Sequence, residues 1–483
     1  MDVWIKSIGE KRGAPHLYFD GTQAVRAGFS PGQKFDVEMQ DGKVVLSVNK
    51  DGSRTVSSKT VRGVEYPVID INSKELLAMF EGMASVRVIV QKDKVYLLPL
   101  ASEIKKKERI DRVRNKMISG EPMAMGSISH GGGVLSSAIH EGLKSAGIDA
   151  GLAFANEIRE DLLLQSIENN HVWDDAKTSK QSNMALCIPM QELAQDDWLL
   201  SKLPMLDCLE MGLPCSGASK AGASKRGLSK MEDHPDVGHL VHSALAILNK
   251  VQPVVVLLEN VPEYANSASA MILRHQLRDM GYNTHEAILE GRDFGCIENR
   301  VRWCLVGTTQ GLDFNMDNLA PTVTMVHKLS DYLDKDIKAD DPRYREVAYL
   351  KEKEVRDAAK GNSFAMQVIS EDSTSVPTLR KGYQKGGSTD PRLIHPTDST
   401  KSRLLTASEH AKIKGVPSKL IHGLSESNAH QLLGQGIVYA PFEVVGKRIG
   451  ESLQKLAAQS KKEVQDVAVK RPLKKAGSSF GIG

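Results

Sequence analysis

The chain has 483 residues, 41% apolar and 25% charged, with 40 Gly and 19 Pro. At roughly 150 residues per domain this predicts two or three domains with a real core, and it excludes a collagenous, disordered or disulfide-scaffold protein. A net charge of +3 does not by itself announce a nucleic-acid partner. There is no run of about 18 apolar residues and no signal-peptide layout in MDVWIKSIGE, so the expectation is a cytoplasmic chain with no membrane partner.

The first 100 residues contain an internal echo. Leu17-Tyr18-Phe19-Asp20 precedes a short helical stretch and the hairpin KFDVEMQDGKVVLSV (34–48). Val68-Ile69-Asp70-Ile71 then precedes SKELLAMFEG and VRVIVQKDKVYLLPL (86–100). Asp41-Gly42 is a two-residue hairpin turn, and each copy reads as strand, short helix, hairpin. The copies resemble the swapped-hairpin, AbrB-like modules of bacterial regulators, which implies self-association or DNA binding; a plain small β-barrel reads the same way. EIKKKERIDRVRNKM (103–117) reads as a solvated linker helix, whose basic side could also track a phosphate backbone.

From about residue 122 the pattern becomes α/β. The cluster HGGG (130–133) opens a helix, GLAFANE (151–157) is an apolar strand, and a helix follows through DLLLQSIENN. LDCLEMGLP (206–214) reads as a strand, HLVHSALAILNKVQ (239–252) as a helix, PVVVLLENV (253–261) as a buried strand and SASAMILRHQLRDMG as a helix. Such alternation predicts βαβ units and a mostly parallel sheet. Regularity lapses over 311–395, and helix returns at TASEHAKIKG (406–415) and EVVGKRIGESLQKLAAQ (443–459). The basic, Gly/Ser-ended tail is expected to be disordered.

Four features could carry chemistry. The glycine cluster lets a backbone approach a ligand at a helix N-terminus, with Glu157 closing the next strand where ribose hydroxyls bind in such folds. Glycine turns before helices also arise for steric reasons alone. Cys215, in GLPCSGASKAG, follows a strand, and Lys220, Lys225 and Arg226 could favour its thiolate. The five Cys (187, 208, 215, 296, 304) include no CxxC pair, so reduced thiols and no metal site are expected, the other four serving as small apolar residues. Glu259, ending VVVLLEN, is expected to be buried and to suit a proton donor. Arg300 and Arg302 share one strand face beside Glu298, a pairing able to bind a phosphate or a base carbonyl.

The ordered series is more specific than any one feature. Gly loop, acid, Pro214-Cys215 with Ser219 and Gly222, Glu259-Asn260-Val261, Arg300-x-Arg302, an insert and a C-terminal helix resemble the DNA cytosine-5 methyltransferase family over about 122–455. RLLTASEHAKIKGVPSKL (403–420) is similar to the family's Arg-Leu-Thr block, and LLGQGIVYAPFEVVGKRIG (432–450) to its closing segment. The sequence departs from the family at GSISHGGG, where Ser127 and Ser129 stand, at Ser216 and Glu298 for Gln, and at Gln435 for Asn.

The resemblance implies an α/β, Rossmann-like S-adenosylmethionine-dependent methyltransferase fold with a smaller target-recognition region and an N-terminal β-rich domain. It implies segments at 1–100 (repeats), 101–121 (basic linker), 122–310 (catalytic), 311–400 (target recognition), 401–458 (completing the catalytic domain) and 459–483 (flexible tail). It implies that Cys215, Glu259, Arg300 and Arg302 are catalytic. Ser129, Gly131, Gly132, Glu157, Pro214, Gln435 and Ile437 would bind S-adenosyl-L-methionine, with Glu192 a candidate for the adenine amine. Ser216, Ser219, Asn260, Val261 and Glu298 would touch substrate, and Arg380, Lys381, Arg392 and the Gly386-Gly387 turn are candidate contacts to double-stranded DNA. The same chemistry on tRNA, and an inactive DNA-binding regulator, are the alternatives.

Overall fold

The computed structural model describes residues 1–11, 14–80, 82–176, 183–218, 227–321, 326–361 and 364–470. It divides into two units, Met1–Glu108 and Arg109–Gly483.

In the first unit each sequence copy forms its own strand, short helix and hairpin. The first comprises β1 (Ala14–Asp20), α1 (Thr22–Arg26), β2 (Lys34–Gln40) and β3 (Lys43–Val48). The second comprises β4 (Val64–Asn72), α2 (Lys74–Leu77), β5 (Ser85–Gln91) and β6 (Lys94–Pro99). The turn at Asp41-Gly42 has positive φ at both residues (43° and 73°), the conformation whose twist suits a tight hairpin. The copies pair with each other inside one chain. β1 runs antiparallel to β4, with Leu17 opposite Ile71 and Phe19 opposite Ile69, and β6 pairs β3, with Val95 opposite Leu46. These residues share one core with Phe29, Phe35 and Phe80.

The helix α3 (Ala101–Ser119) corrects the expectation of a solvated linker. From Arg109 onward its basic face enters the second unit rather than solvent. Arg109 is fully buried, stacks 4.1 Å from the Tyr282 ring centroid, and donates to Thr309 Oγ1 (3.0 Å), Gln252 Oε1 (2.8 Å) and the Met280 carbonyl (2.7 Å). Arg112 donates to the Leu206 and Gln252 carbonyls, both at 2.6 Å, and Lys116 Nζ lies 2.6 Å from Asp207. A guanidinium offers five donors, so it can close several strand-end carbonyls that would otherwise lack partners.

The second unit is built on β7 (Met123–Ile128), α4 (Val134–Ser145), β8 (Ala150–Asn156), α5 (Glu160–Asn169), β9 (Met184–Leu186), α6 (Met190–Gln195), β10 (Cys208–Met211), α7 (Leu240–Val251), β11 (Val255–Asn260), α8 (Ala268–Asp279), β12 (Tyr282–Glu290) and β13 (Val301–Thr309). Its sheet has the order β9-β8-β7-β10-β11-β13-β12, with β13 antiparallel to both its neighbours. The largely apolar β7, β8 and β11 are buried on both faces along most of their length, as parallel strands covered by helices are, with their polar residues at the carboxyl ends.

Residues 311–395, irregular in sequence, hold short strands and a helix at Ala348–Ala359. Leu329, Ile369, Val376, Leu379, Tyr383 and Leu393 of this region share a small core with Ile297, Leu405 and Ile413 from outside it. Beyond them lie α9 (Ala407–Lys414), α10 (Glu426–Gln435) and α11 (Tyr439–Lys470). The last helix extends past residue 459, where a disordered tail was expected; its Ala-, Lys-, Glu- and Gln-rich sequence favours helix, and residues 471–483 lie outside the described residues. α11 meets α4 through glycines: a Cβ on Gly446 would lie 2.5 Å from the Ile139 carbonyl oxygen. No helix among the described residues is long and apolar enough to cross a membrane.

Candidate active site

The carboxyl ends of β7, β8, β10 and β11 open on one edge, where open α/β sheets bind ligands. After β7 the chain turns sharply, with Ser129 (φ 56°), Gly131 (φ 58°) and Gly133 (φ 73°) all left-handed. Gly133 precedes α4 with no side-chain cap, leaving the first-turn N–H groups of that helix turned to the edge. Glu157, just past β8, accepts from the Gly131 N–H (2.7 Å) and the Arg159 N–H (3.0 Å), so it shapes the glycine loop directly. Gln435 Nε2 lies 3.5 Å from where a Gly131 Cβ would stand, and a Cβ on Gly132 would strike Leu432. Ile437 is buried beneath, whereas Glu192 is exposed on α6.

Ser127 and His130 of GSISHGGG belong to a network that the sequence did not announce. His130 is buried with Nδ1 2.8 Å from Ser127 Oγ and Nε2 2.7 Å from Ser166 Oγ. Ser136 donates to Glu210 on β10, whose carboxyl is pushed up to about 7, chiefly by burial. Burial also drives His130 down to about 3, so it is neutral. The signal for Glu210 was present as an acid inside the apolar run LDCLEMGL.

Cys215 follows β10 and Pro214, both partly exposed. Burial, then the charge of Glu259, pushes its thiol up, while Arg302 and Arg300 pull it down. The cations facing the thiol are therefore arginines from β13 and its approach; Lys220, Lys225 and Arg226, together with Ser219 and Gly222, lie outside the described residues. Ser216 Oγ is 3.3 Å from His234 Nε2. A cleft of about 680 Å³ opens beside this loop, lined in part by Gly217, Ala218, Met231, Asn266 and Arg274.

Glu259 is brought to the same edge, but as half of a pair. Its Oε1 lies 2.6 Å from Arg302 Nε, and both side chains are partly exposed, where a buried acid was expected. The antiparallel register explains the meeting: Glu259 is opposite Cys304 and Asn260 opposite Trp303, which sets the start of β13 beside the end of β11. Asn260 is buried and braces the loops. Its amide donates to the Leu213 carbonyl (3.1 Å), and its Oδ1 accepts the Val261 N–H (2.9 Å).

Two expected contacts lie deeper. Glu298 is fully buried, its carboxylate accepting from the Leu379 N–H (2.9 Å) and from Lys414 Nζ (2.6 Å). Burial and Arg300 pull Lys414 down to about 7. Arg300, buried as well, donates to the Gly434 carbonyl at 3.1 Å and is brought down to about 10, chiefly by burial. Glu298 therefore supports the arginines from beneath instead of facing a substrate, and Lys414, which sequence reasoning missed, supplies its countercharge. Among the expected DNA contacts, Arg392 is buried against Ser402 and Arg380 is paired with Asp390 at 2.7 Å, both held by the fold of their own region. Of the four cysteines read as apolar fillers, Cys208 and Cys304 are buried, Cys296 is partly exposed and Cys187 is exposed.

The edge thus gathers a thiol, an acid–arginine pair and a glycine loop in the order the sequence displays. Residues 138–451 match the family described as C-5 cytosine-specific DNA methylase. The chain belongs to that family. Its relatives include the Type II methyltransferase M.MspI of Moraxella sp, 26% identical over 267 residues that make up 54% of this chain and 60% of that enzyme. Another is the Type II methyltransferase M.NlaX of Neisseria lactamica, 24% identical over 54% of this chain and 81% of that one. The chain spans less than two thirds of the length of the first of these. In fold, this DNA methylase family member is similar to the S. pombe Dnmt2 methyltransferase, with a TM-score of 0.53 at 19% identity over 69% of this chain and 99% of the other. That likeness supports the Rossmann-like architecture, with a β-rich unit ahead of it.

Proposed function

We propose that the chain is a DNA cytosine-5 methyltransferase acting on a cytosine flipped out of duplex DNA, with S-adenosyl-L-methionine as methyl donor. The observation that carries this reading is the meeting of Cys215 with the Glu259–Arg302 pair and Arg300 at one sheet edge, within the span that matches the family.

The glycine loop suits the donor. The uncapped start of α4, the left-handed turn at Gly131 and the carboxylate of Glu157 form a cradle with backbone donors and an acid at its rim. Ser129, Gly131, Gly132, Glu157, Pro214, Gln435 and Ile437 would hold S-adenosyl-L-methionine, which when bound supplies the methyl group that C5 takes up.

The protein's own groups do the rest. Cytosine C5 is a poor nucleophile, so Cys215, partly exposed, loses its proton to solvent water and its thiolate adds to C6; the C–S bond forms as the C5–C6 double bond opens and its electrons move onto C5. Glu259, ion-paired with Arg302 in the free protein, takes up a proton from solvent as the base enters, hydrogen-bonds N3 and stabilises the charge that develops on the ring. Arg302, backed by Arg300, holds the base carbonyl. After methylation the C5 proton passes to solvent water, the C5–H electrons reform the C5–C6 double bond, the C–S pair leaves C6 with the Cys215 thiolate, and Glu259 keeps its proton on release of the base. A base inside a duplex cannot reach this edge, so it must be extruded.

Residues 311–400 are the proposed target-recognition region, with Lys381 and the Gly386-Gly387 turn as its remaining candidate contacts. The N-terminal copies are proposed as AbrB-like modules, which their pairing with each other supports, and the chain is proposed to self-associate through the edge strand Asp2–Ser7, where Val3 and Ile5 are exposed. A compartment of reduced thiols, the cytoplasm, fits five free cysteines.

The test is transfer of labelled methyl from S-adenosyl-L-methionine to duplex DNA and to tRNA by the native chain and by Cys215→Ala. Label in DNA that vanishes with the substitution supports the proposal. Label in tRNA alone, or DNA binding with no label, overturns it.

A further inference from the structure

Away from the sheet edge, three metal-ligating side chains converge beside the second half of α4. His140 and Glu141 are neighbours on that helix, and His171 follows α5. His171 Nε2 lies 2.8 Å from Glu141 Oε1 and 3.1 Å from His140 Nδ1, and His140 Nδ1 is 3.9 Å from Glu141 Oε1. Donor atoms held 2.0–2.2 Å from a tetrahedral ion stand roughly 3.3 Å apart, so the triangle is close to the size such an ion needs.

The fold also fixes which nitrogen of His140 faces the cluster. Its Nε2 is 2.8 Å from the carbonyl oxygen of Ala150 at the start of β8. A carbonyl can only accept, so Nε2 carries the proton and Nδ1 presents its lone pair to Glu141 and His171. A backbone carbonyl on the far nitrogen is the outer partner that orients histidines in metal sites. His140 is buried, while Glu141 and His171 are 38% and 30% exposed, which leaves an approach from solvent and room for a water ligand.

We propose that His140, Glu141 and His171 bind one divalent transition ion of the zinc class, with water completing the coordination. Two imidazoles and a carboxylate suit zinc, cobalt or nickel and not the oxygen-seeking magnesium or calcium. Without an ion, His171 donates to Glu141; on binding, its proton moves to Nδ1 and Nε2 turns to the metal.

The site would tie α4 to the segment that steadies the glycine loop. Asn170, beside His171, donates from its amide to the Gly133 carbonyl at 2.9 Å, and Trp173 packs edge-on against His130. An ion would clamp the loop from behind without touching the reacting atoms.

The full chain, stripped with chelator and dialysed against zinc or cobalt, should retain one equivalent of metal by elemental analysis. The cobalt form should lack a thiolate-to-metal charge-transfer band, and the melting temperature should rise with metal. His171→Ala should weaken binding by more than the roughly 10–100-fold attributed to outer partners alone, and Glu141→Gln should weaken it too, while both variants melt as the native chain does without metal. No retained metal, retention that survives both substitutions, or a thiolate band removed by Cys215→Ala would each overturn the proposal.

Discussion

Cys215 sits among charges that oppose each other. Glu259 raises its pKa and the two arginines lower it, with burial the largest influence. Alkylation of Cys215 followed peptide by peptide against pH should therefore shift to higher pH in Arg302→Ala and to lower pH in Glu259→Gln. Opposite shifts would mean that the pair does not govern the thiol. A second residue-scale prediction concerns the buried Glu298–Lys414 pair. Lys414→Met strands a carboxylate in the interior and should cost about 3 kcal/mol in urea unfolding, whereas Glu298→Gln should cost less, because Lys414 already titrates near 7 and can shed its proton. The double variant should recover most of the loss. Glu259 and Arg302 were legible because each brings a charge to the end of an apolar strand, and Cys215 because it follows one behind a proline. Lys414 was not: in HAKIK it looks like any helix-surface lysine, and its partner is brought to it only by the tertiary fold.

At the scale of elements, α3 shows how composition misleads. A helix with this many charges reads as solvated, yet Arg109, Arg112 and Lys116 are spaced to face the strand ends at residues 206–207, 252, 280 and 309. Arg109→Met should destabilise the protein by about 3 kcal/mol, since it leaves several buried acceptors unpaired, while Lys107→Ala on the exposed face should change stability by no more than about 0.5 kcal/mol. Equal effects of the two would contradict the burial of Arg109. The C-terminal block was easier to read. Thr406 and Glu409 cap α9 reciprocally, and Arg403 grips both oxygens of Glu409 at 2.7 Å, which gives the Arg-Leu-Thr pattern and its acid a plain structural purpose.

Across the whole molecule, the alternation of strands and helices was legible because parallel strands buried on both faces must be apolar throughout. The region 311–395 was not, since its strands are two or three residues long and carry no period. The interior also sets an acid limit on the fold. The native chain keeps His130 neutral down to about pH 3, whereas the unfolded chain takes up that proton near pH 6.5. Between those values the unfolded state binds more protons, so stability should fall with decreasing pH by about 1.4 kcal/mol per unit from this group alone. His130→Gln should flatten that part of the stability–pH curve in denaturant melts; an unchanged slope would assign the loss to other groups.

The glycine contact between α4 and α11 has a consequence for how the protein is made. α4 leaves the ribosome long before α11, with Ile139 and Leu143 on the stripe that α11 later covers. Throughout the synthesis of everything between them, that stripe must stay uncovered or be held by a chaperone. A gene broken anywhere in the intervening insert would thus yield two fragments, each exposing the surface that the other was meant to seal, and co-expression of the two would be the natural way to rescue either.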